Sequence, residues 1–113
     1  MEADEDLVVR FRGGDEAAFE TLVKRYEARI RKLAFGYLRD RMLAEDVAQE
    51  SFLQAYQRIG TLGRPAAFRS WLYRIAINRA HDQLRRRARK GELAGEEGEE
   101  RIQRLEEPVV LAK

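Results

Sequence analysis

The chain has 113 residues, of which 44% are apolar and 37% charged, and its formal net charge is +2. This length suits one domain with a modest core. The lack of cysteine excludes disulfides and cysteine-ligated metals, and the single histidine, His81, argues against a Ser–His–Asp hydrolase. An acidic N-terminus and no apolar run near 20 residues predict a cytoplasmic protein without membrane insertion.

Two helices are predicted in the first third of the chain. The first covers residues 4–12 and ends at Gly13 and Gly14. The second begins after Asp15, a typical N-cap residue, and runs to about Leu38. Its apolar positions recur in steps of three and four, which predicts one buried face. That face comprises Phe19, Leu22, Val23, Tyr26, Ile30, Leu33, Ala34 and Tyr37.

The third predicted helix covers about residues 41–59, with Asp40 as its cap. Its inner stripe is Leu43, Val47, Phe52, Ala55, Tyr56 and Ile59. The opposite side carries carboxylates and amides, and without a partnering histidine these predict a solvated or partner-binding face rather than catalysis. A Gly- and Pro-containing loop follows, and the fourth helix starts near Ala66. The predicted fold is all-α, a small bundle of three to four helices.

The charges are distributed unevenly along the chain. Residues 58–90 hold ten basic side chains and one acid, Asp82, a net charge of +9. The segments before and after it carry −3 and −4. A compact arginine-rich block beside acidic flanks indicates an anionic partner, nucleic acid first, although a solvated charged face remains the alternative.

The fourth helix carries two predicted stripes. Phe68, Leu72, Ile75 and Ala76 form its core side. The stripe beside them is Trp71, Arg74, Asn78, His81 and Arg85. Asparagine and arginine read base edges or bind phosphate, and tryptophan stacks on unpaired bases. Burial in the core is an equal alternative for Trp71, and His81 is predicted to be solvated or close to a phosphate.

Three segments resemble motifs in the second domain of the extracytoplasmic-function sigma factors of bacterial RNA polymerase. They read DEAAFETLV from Asp15, AEDVAQESFLQAY from Ala44 and AFRSWLYRIAINRA from Ala67. The motifs follow the order and spacing of that family and cover roughly residues 5–90. The resemblance implies a subunit that gives RNA polymerase its promoter specificity, without catalytic activity, cofactor or metal of its own.

The resemblance also implies partners and contact residues. Asp46, Gln49, Glu50 and Leu53 would bind the clamp helices of the largest catalytic subunit of core RNA polymerase. The loop at 60–68 would capture a flipped base of the −10 promoter element, and the next helix would hold the non-template strand. The implied DNA-binding residues are Leu62, Arg64, Phe68, Arg69, Trp71, Arg74, Asn78, His81, Arg85 and Arg86. An anti-sigma factor is implied as a further partner.

The chain departs from the family pattern in two places. Leu62 stands where many relatives have phenylalanine, which affects the base pocket. The family's helix-turn-helix domain, which reads the −35 element, has no counterpart in this sequence. We expect a domain at 1–90 and, at 91–113, an acidic linker or the start of a missing C-terminal domain. We therefore expect a fragment of a longer protein, the alternative being a protein that works without that domain. Two other functions stay open: a helical nucleic-acid-binding module without a polymerase role, and a protein–protein adaptor.

Overall fold

The computed structural model describes residues 1–91 and arranges them in four α-helices, with no strand in that range. The helices are α1 (Asp4–Arg12), α2 (Glu16–Leu38), α3 (Arg41–Arg58) and α4 (Phe68–Arg89). The predicted all-α bundle is therefore confirmed. The predicted linker at 91–113 lies outside the described residues, apart from Gly91. None of the described helices combines the length and hydropathy needed to cross a membrane.

Aspartates begin the two central helices, as the sequence predicted. The Asp15 carboxylate accepts a hydrogen bond from the backbone N–H of Ala17 at 3.1 Å, and the Asp40 carboxylate accepts one from Leu43 at 3.0 Å. Each bond satisfies a backbone donor that has no partner within its own helix. Between α2 and α3 the chain reverses through Arg39, which adopts a left-handed conformation with φ of 54°.

The larger hydrophobic cluster joins all four helices. It centres on Leu22, Phe68 and Leu72, whose side chains are fully buried, and includes Leu7 and Val8 from α1. The predicted core side of α4 is confirmed, since Ile75 and Ala76 are also buried. This cluster fixes α4 against α1 and α2, so the opposite side of α4 faces outward.

A smaller cluster lies where the C-terminal half of α2 meets α3 and the end of α4. Its members are mostly small side chains: Ala34, Leu38, Ala44, Val47, Ala80 and Leu84. Arg87 supports this end of the bundle by donating a hydrogen bond to the backbone carbonyl of Leu38 at 3.0 Å. A cation at a helix C-terminus is favourable because the last carbonyls carry partial negative charge.

Polar contacts fasten α1 to α2. The Asp4 carboxylate pairs with Arg25 at 2.6 Å and accepts a hydrogen bond from the Tyr26 hydroxyl. Burial, and after it the hydrogen bond to Asp4, raise the pKa of Tyr26 to about 12. The protonated phenol is thus part of the α1–α2 contact.

Tyr56 departs from its predicted place in the inner stripe of α3. It is 42% exposed and forms ring contacts with Phe11 and Phe19, each with centroids 5.3 Å apart. Its hydroxyl donates to the Glu16 carboxylate at 3.1 Å, which raises the pKa of Tyr56. The prediction was wrong because α1 and α2 cover only one side of this ring.

Candidate functional site

The second stripe of α4 lies on the outward side of the helix. Arg74, Asn78 and Arg85 are exposed, while Trp71 and His81 are half-buried. These residues recur every three or four positions, so their side chains share one face of the helix. The face opposes the buried Leu72 side and presents cationic, amide and aromatic groups together.

Trp71 occupies the boundary between core and surface. Its ring packs against Phe68, with centroids 6.0 Å apart and planes at 46°, and against the larger cluster. The rest of the side chain is accessible. The two alternatives for Trp71 therefore both apply in part, because one portion of the ring is held by the core while the other remains available to a base.

Two of the predicted DNA-binding side chains lie inside the protein. Phe68 is fully buried beneath Tyr26, with ring centroids 6.0 Å apart, and Leu62 is 6% exposed. Neither side chain is exposed in this structure, so a DNA contact by Phe68 or Leu62 stays a prediction. Phe68 anchors the first turn of α4 in the core, and Leu62 anchors the preceding loop.

The loop between α3 and α4 contains two short 3₁₀ turns, Ile59–Thr61 and Pro65–Ala67. α4 consequently begins at Phe68, two residues later than predicted. A surface cavity of about 320 Å³ lies at the second turn and is lined by Arg64, Ala66, Ala67 and Ser70. Small side chains leave the space open, and Arg64 supplies a cation at its edge.

Arg12 holds this loop from α1, a contact that the sequence analysis missed. Its guanidinium donates hydrogen bonds to the backbone carbonyls of Ile59, at 2.9 Å, and of Leu62. The partners are 47 and 50 residues away along the chain, so no local pattern predicts the pairing.

The predicted protein-binding face of α3 is exposed over its whole length. Asp46, Gln49, Glu50 and Leu53 all lie at the surface, and Leu53 is 59% exposed. Their spacing places them on one side of the helix. An apolar side chain beside two carboxylates and an amide is an arrangement suited to a protein partner with a basic surface.

Arg79 connects α4 to α3. The sequence pattern marks it only as one member of the basic block and predicts no contact for it. Its Nε donates to the Gln54 side-chain oxygen at 2.8 Å, and its Nη1 lies 3.7 Å from the Glu50 carboxylate. Arg79 thus belongs by sequence to the basic block but contacts the acidic side of α3. Arg79 follows the buried Ile75 by four residues, which places it next to the core side of α4. That spacing could have indicated a contact with a neighbouring helix.

The remaining predicted cations differ in their surroundings. The Arg69 guanidinium lies over the Tyr73 ring, 5.5 Å from its centroid, in a cation–π contact. Arg86 is exposed near the end of α4. Exposed cations therefore occur along the whole length of α4, from Arg64 in the preceding loop through Arg74 to Arg86.

The outward faces of α3 and α4 are adjacent and carry opposite charges. The α3 face includes the exposed apolar side chain of Leu53, and the α4 face includes the accessible edge of Trp71. A helical domain with these two faces is suited to binding both a protein and a nucleic acid. Residues 22–90 match the family model of Sigma-70 region 2. This match covers more than half of the chain, so the chain belongs to the Sigma-70 region 2 family. The predicted resemblance is confirmed at that level.

Individual relatives agree with this assignment. The chain is 43% identical over 90 residues to the RNA polymerase sigma-H factor of Pseudomonas aeruginosa, covering 80% of this chain and 47% of that relative. It is 41% identical over 87 residues to the ECF RNA polymerase sigma-E factor of Haemophilus influenzae, covering 77% and 46%. The chain thus spans less than half the length of these relatives.

A solved structure also resembles the bundle. It is the NMR structure of an engineered region 2 of sigmaE in complex with GTAAAA, and it superimposes with a TM-score of 0.72 at 37% sequence identity. The match covers 81% of this chain and 96% of that one. The arrangement of helices is therefore shared with a domain whose complex with that sequence has been determined.

Proposed function

We propose that this chain is the promoter-recognition domain of an extracytoplasmic-function sigma factor, which binds core RNA polymerase and recognises and melts the −10 element. The observation that carries the proposal is the pair of exposed faces, acidic on α3 and basic on α4, each within a motif of the family. Membership of the Sigma-70 region 2 family supports it.

The α3 face is proposed to bind the polymerase. Asp46 and Glu50 offer carboxylates to a basic surface, and Leu53 offers an apolar contact between them and the end of the helix. Buried apolar centres with polar rims are common in protein interfaces. We propose the clamp helices of the largest catalytic subunit as the partner, and an anti-sigma factor as a competitor for these surfaces.

The loop cavity and the α4 face are proposed to bind the non-template strand. Extracting a base from the duplex costs a few kcal/mol. Stacking on an aromatic side chain such as Trp71 returns about 1–3 kcal/mol per base. The cavity beside Arg64 offers space for an extracted base, and Asn78 offers hydrogen bonds to a base edge. These terms are similar in size, so captured bases together with arginine–phosphate contacts offset local opening.

The proposed role requires no chemistry from this chain, because the polymerase catalyses RNA synthesis. We propose that residues 1–90 form the functional domain and that 91–113 are an acidic linker or the start of a C-terminal domain. We also propose that the protein works in the cytoplasm with the polymerase. A helical nucleic-acid-binding module without a polymerase role would explain the basic block, but it gives no purpose to the exposed Asp46, Glu50 and Leu53.

The test is a pull-down of core RNA polymerase with the wild-type chain, with Asp46→Ala/Glu50→Ala and with Asn78→Ala. We expect the wild type and Asn78→Ala to capture polymerase and the double variant to lose capture. Asn78→Ala should instead weaken discrimination among −10 sequences in fork-DNA binding.

Two results would contradict the proposal. A wild-type chain that is folded by circular dichroism but captures no polymerase would favour the module without a polymerase role, especially if DNA binding is sequence-blind and steeply salt-dependent. Equal defects in both variants would contradict the division of the two faces between the two partners.

A further inference from the structure

Arg12 is the last residue of α1 and reaches from that helix to the loop that follows α3. Its Nη2 atom donates to the backbone carbonyl of Ile59 at 2.9 Å and also to that of Leu62. Both contacts are partly buried, which strengthens hydrogen bonds from a charged donor. The Arg12 guanidinium therefore binds the backbone at both ends of the first 3₁₀ turn, at Ile59 and at Leu62.

The loop's own hydrogen bonds around this turn are local. The Leu62 amide donates to the Ile59 carbonyl at 3.2 Å, and the Thr61 hydroxyl donates to the Arg58 carbonyl at 2.7 Å. Gly60 and Gly63 have open space where a side chain would stand, so packing restrains neither position. Glycine also leaves the backbone free to adopt other conformations. The long-range contact from Arg12 supplies restraint that these local bonds do not.

The restrained segment leads directly into the cavity described above. Leu62 is fixed by its buried side chain and by its carbonyl, Gly63 follows, and Arg64 is the first residue that lines the cavity. The cavity's other lining residues belong to the next 3₁₀ turn and the first turn of α4, which is anchored by buried Phe68. The position of Arg64 relative to α4 thus depends on where the chain leaves Leu62.

We propose that Arg12 is a positioning residue for base selection: it sets the loop conformation that shapes the cavity at Arg64, without contacting DNA itself. The inference rests on the proposed function, because it assigns the cavity to an extracted base. Without Arg12, the loop samples several conformations and the cavity distinguishes bases less well, while the faces of α3 and α4 keep their composition.

The experiment selects from a single-stranded DNA pool with six randomised positions, using the wild-type chain, Arg12→Ala, Arg12→Lys and Arg10→Ala. Arg10 is the matched control, because it lies on the same helix but pairs with Glu2 and Asp15 rather than with the loop. The readout is the enrichment ratio among the four bases at each position. Partial unfolding lowers the bound fraction for all sequences equally, so it leaves this ratio unchanged.

We expect Arg12→Ala to reduce the largest enrichment ratio about fivefold, the order of one net hydrogen bond, and to change mean affinity much less. Arg12→Lys should recover part of the ratio because it keeps a charged donor, and Arg10→Ala should match the wild type. A wild-type ratio in Arg12→Ala would overturn this inference and leave the proposed function standing. A wild-type chain with no base preference would overturn both.

Discussion

The outward faces of α3 and α4 belong to neighbouring helices that share one core, yet they carry opposite charges. The α3 face has short carboxylate and amide side chains around exposed Leu53, whereas the α4 face has long cations beside the edge of Trp71. A protein partner suits the first composition and a polyanion with stacking bases suits the second. The comparison teaches that one small scaffold can present two chemically different surfaces side by side.

Raising the pH should destabilise the scaffold that both faces share. The raised pKa of Tyr26 means that the folded state holds its proton between the unfolded value of 10.0 and about 12, where the unfolded chain has lost it. This contribution is fully present below pH 10 and is lost as pH rises to 12, by about 2–3 kcal/mol. Chemical denaturation across this range should show that loss, and Tyr26→Phe should flatten it. If the free energy of unfolding of Tyr26→Phe fell with pH as steeply as that of the wild type, this role of Tyr26 would be contradicted.

Replacing Trp71 should weaken DNA binding without affecting polymerase binding. Trp71→Ala should weaken binding of single-stranded DNA by about 1–3 kcal/mol, measured by fluorescence anisotropy, because a stacking surface is lost. Polymerase capture should persist, since α3 is unchanged. Trp71→Phe is the control that keeps an aromatic ring. Because the Trp71 ring also packs on Phe68, thermal denaturation of each variant is measured as a control for folding. Unchanged DNA affinity in Trp71→Ala would mean that Trp71 serves only the core.

Removing cations from α4 should alter the salt dependence of DNA binding. Arg85→Ala/Arg86→Ala should lower the slope of log affinity against log salt by about 1.4 for single strands, if each residue neutralises one phosphate. The loss should be similar for all sequences, because phosphate contacts do not read bases. Lys24→Ala/Lys32→Ala removes the same charge from exposed positions of α2 and should leave the slope unchanged. Equal slopes in both double variants would mean that net charge alone governs binding.

The smallest effect is expected where the two faces touch. Arg79 and Glu50 form a partly exposed pair, and such pairs typically contribute about 0.2–1 kcal/mol. A double-mutant cycle with Arg79→Met and Glu50→Gln, measured by chemical denaturation, should give a coupling within that range. A coupling well above it would show that the α3 and α4 faces are not energetically independent.

Local signals in the sequence predicted much of this molecule. Asp15 and Asp40 act as caps through contacts only two or three residues away, so the surrounding sequence suffices to recognise them. The core side of α4 follows from helical spacing alone. The exposed positions 46, 49, 50 and 53 of α3 were predicted by the same spacing together with the family motif.

Features that depend on another element were missed. Periodicity cannot say how far α1 and α2 extend over the ring of Tyr56, and a loop residue such as Leu62 has no periodicity at all. The contacts of Arg12 join residues far apart in the chain, and only the packed bundle brings them together. The sequence also does not distinguish the arginines of the basic block from one another, although Arg79 and Arg87 form hydrogen bonds within the protein.

The division of the core into two clusters has a consequence for hydrogen exchange. The cluster of Ala34, Leu38, Ala44, Val47, Ala80 and Leu84 has no fully buried aromatic ring, only the partly buried Tyr37 packed against it, whereas the larger cluster holds Phe19, Tyr26 and Phe68. Less apolar surface is buried per residue at the alanine-rich end, so its free energy of local opening is lower. We therefore expect amide protons in the last turns of α2 and α4 to exchange before those at the aromatic end, which would make the arginine-rich end of α4 easier to rearrange than the loop cavity.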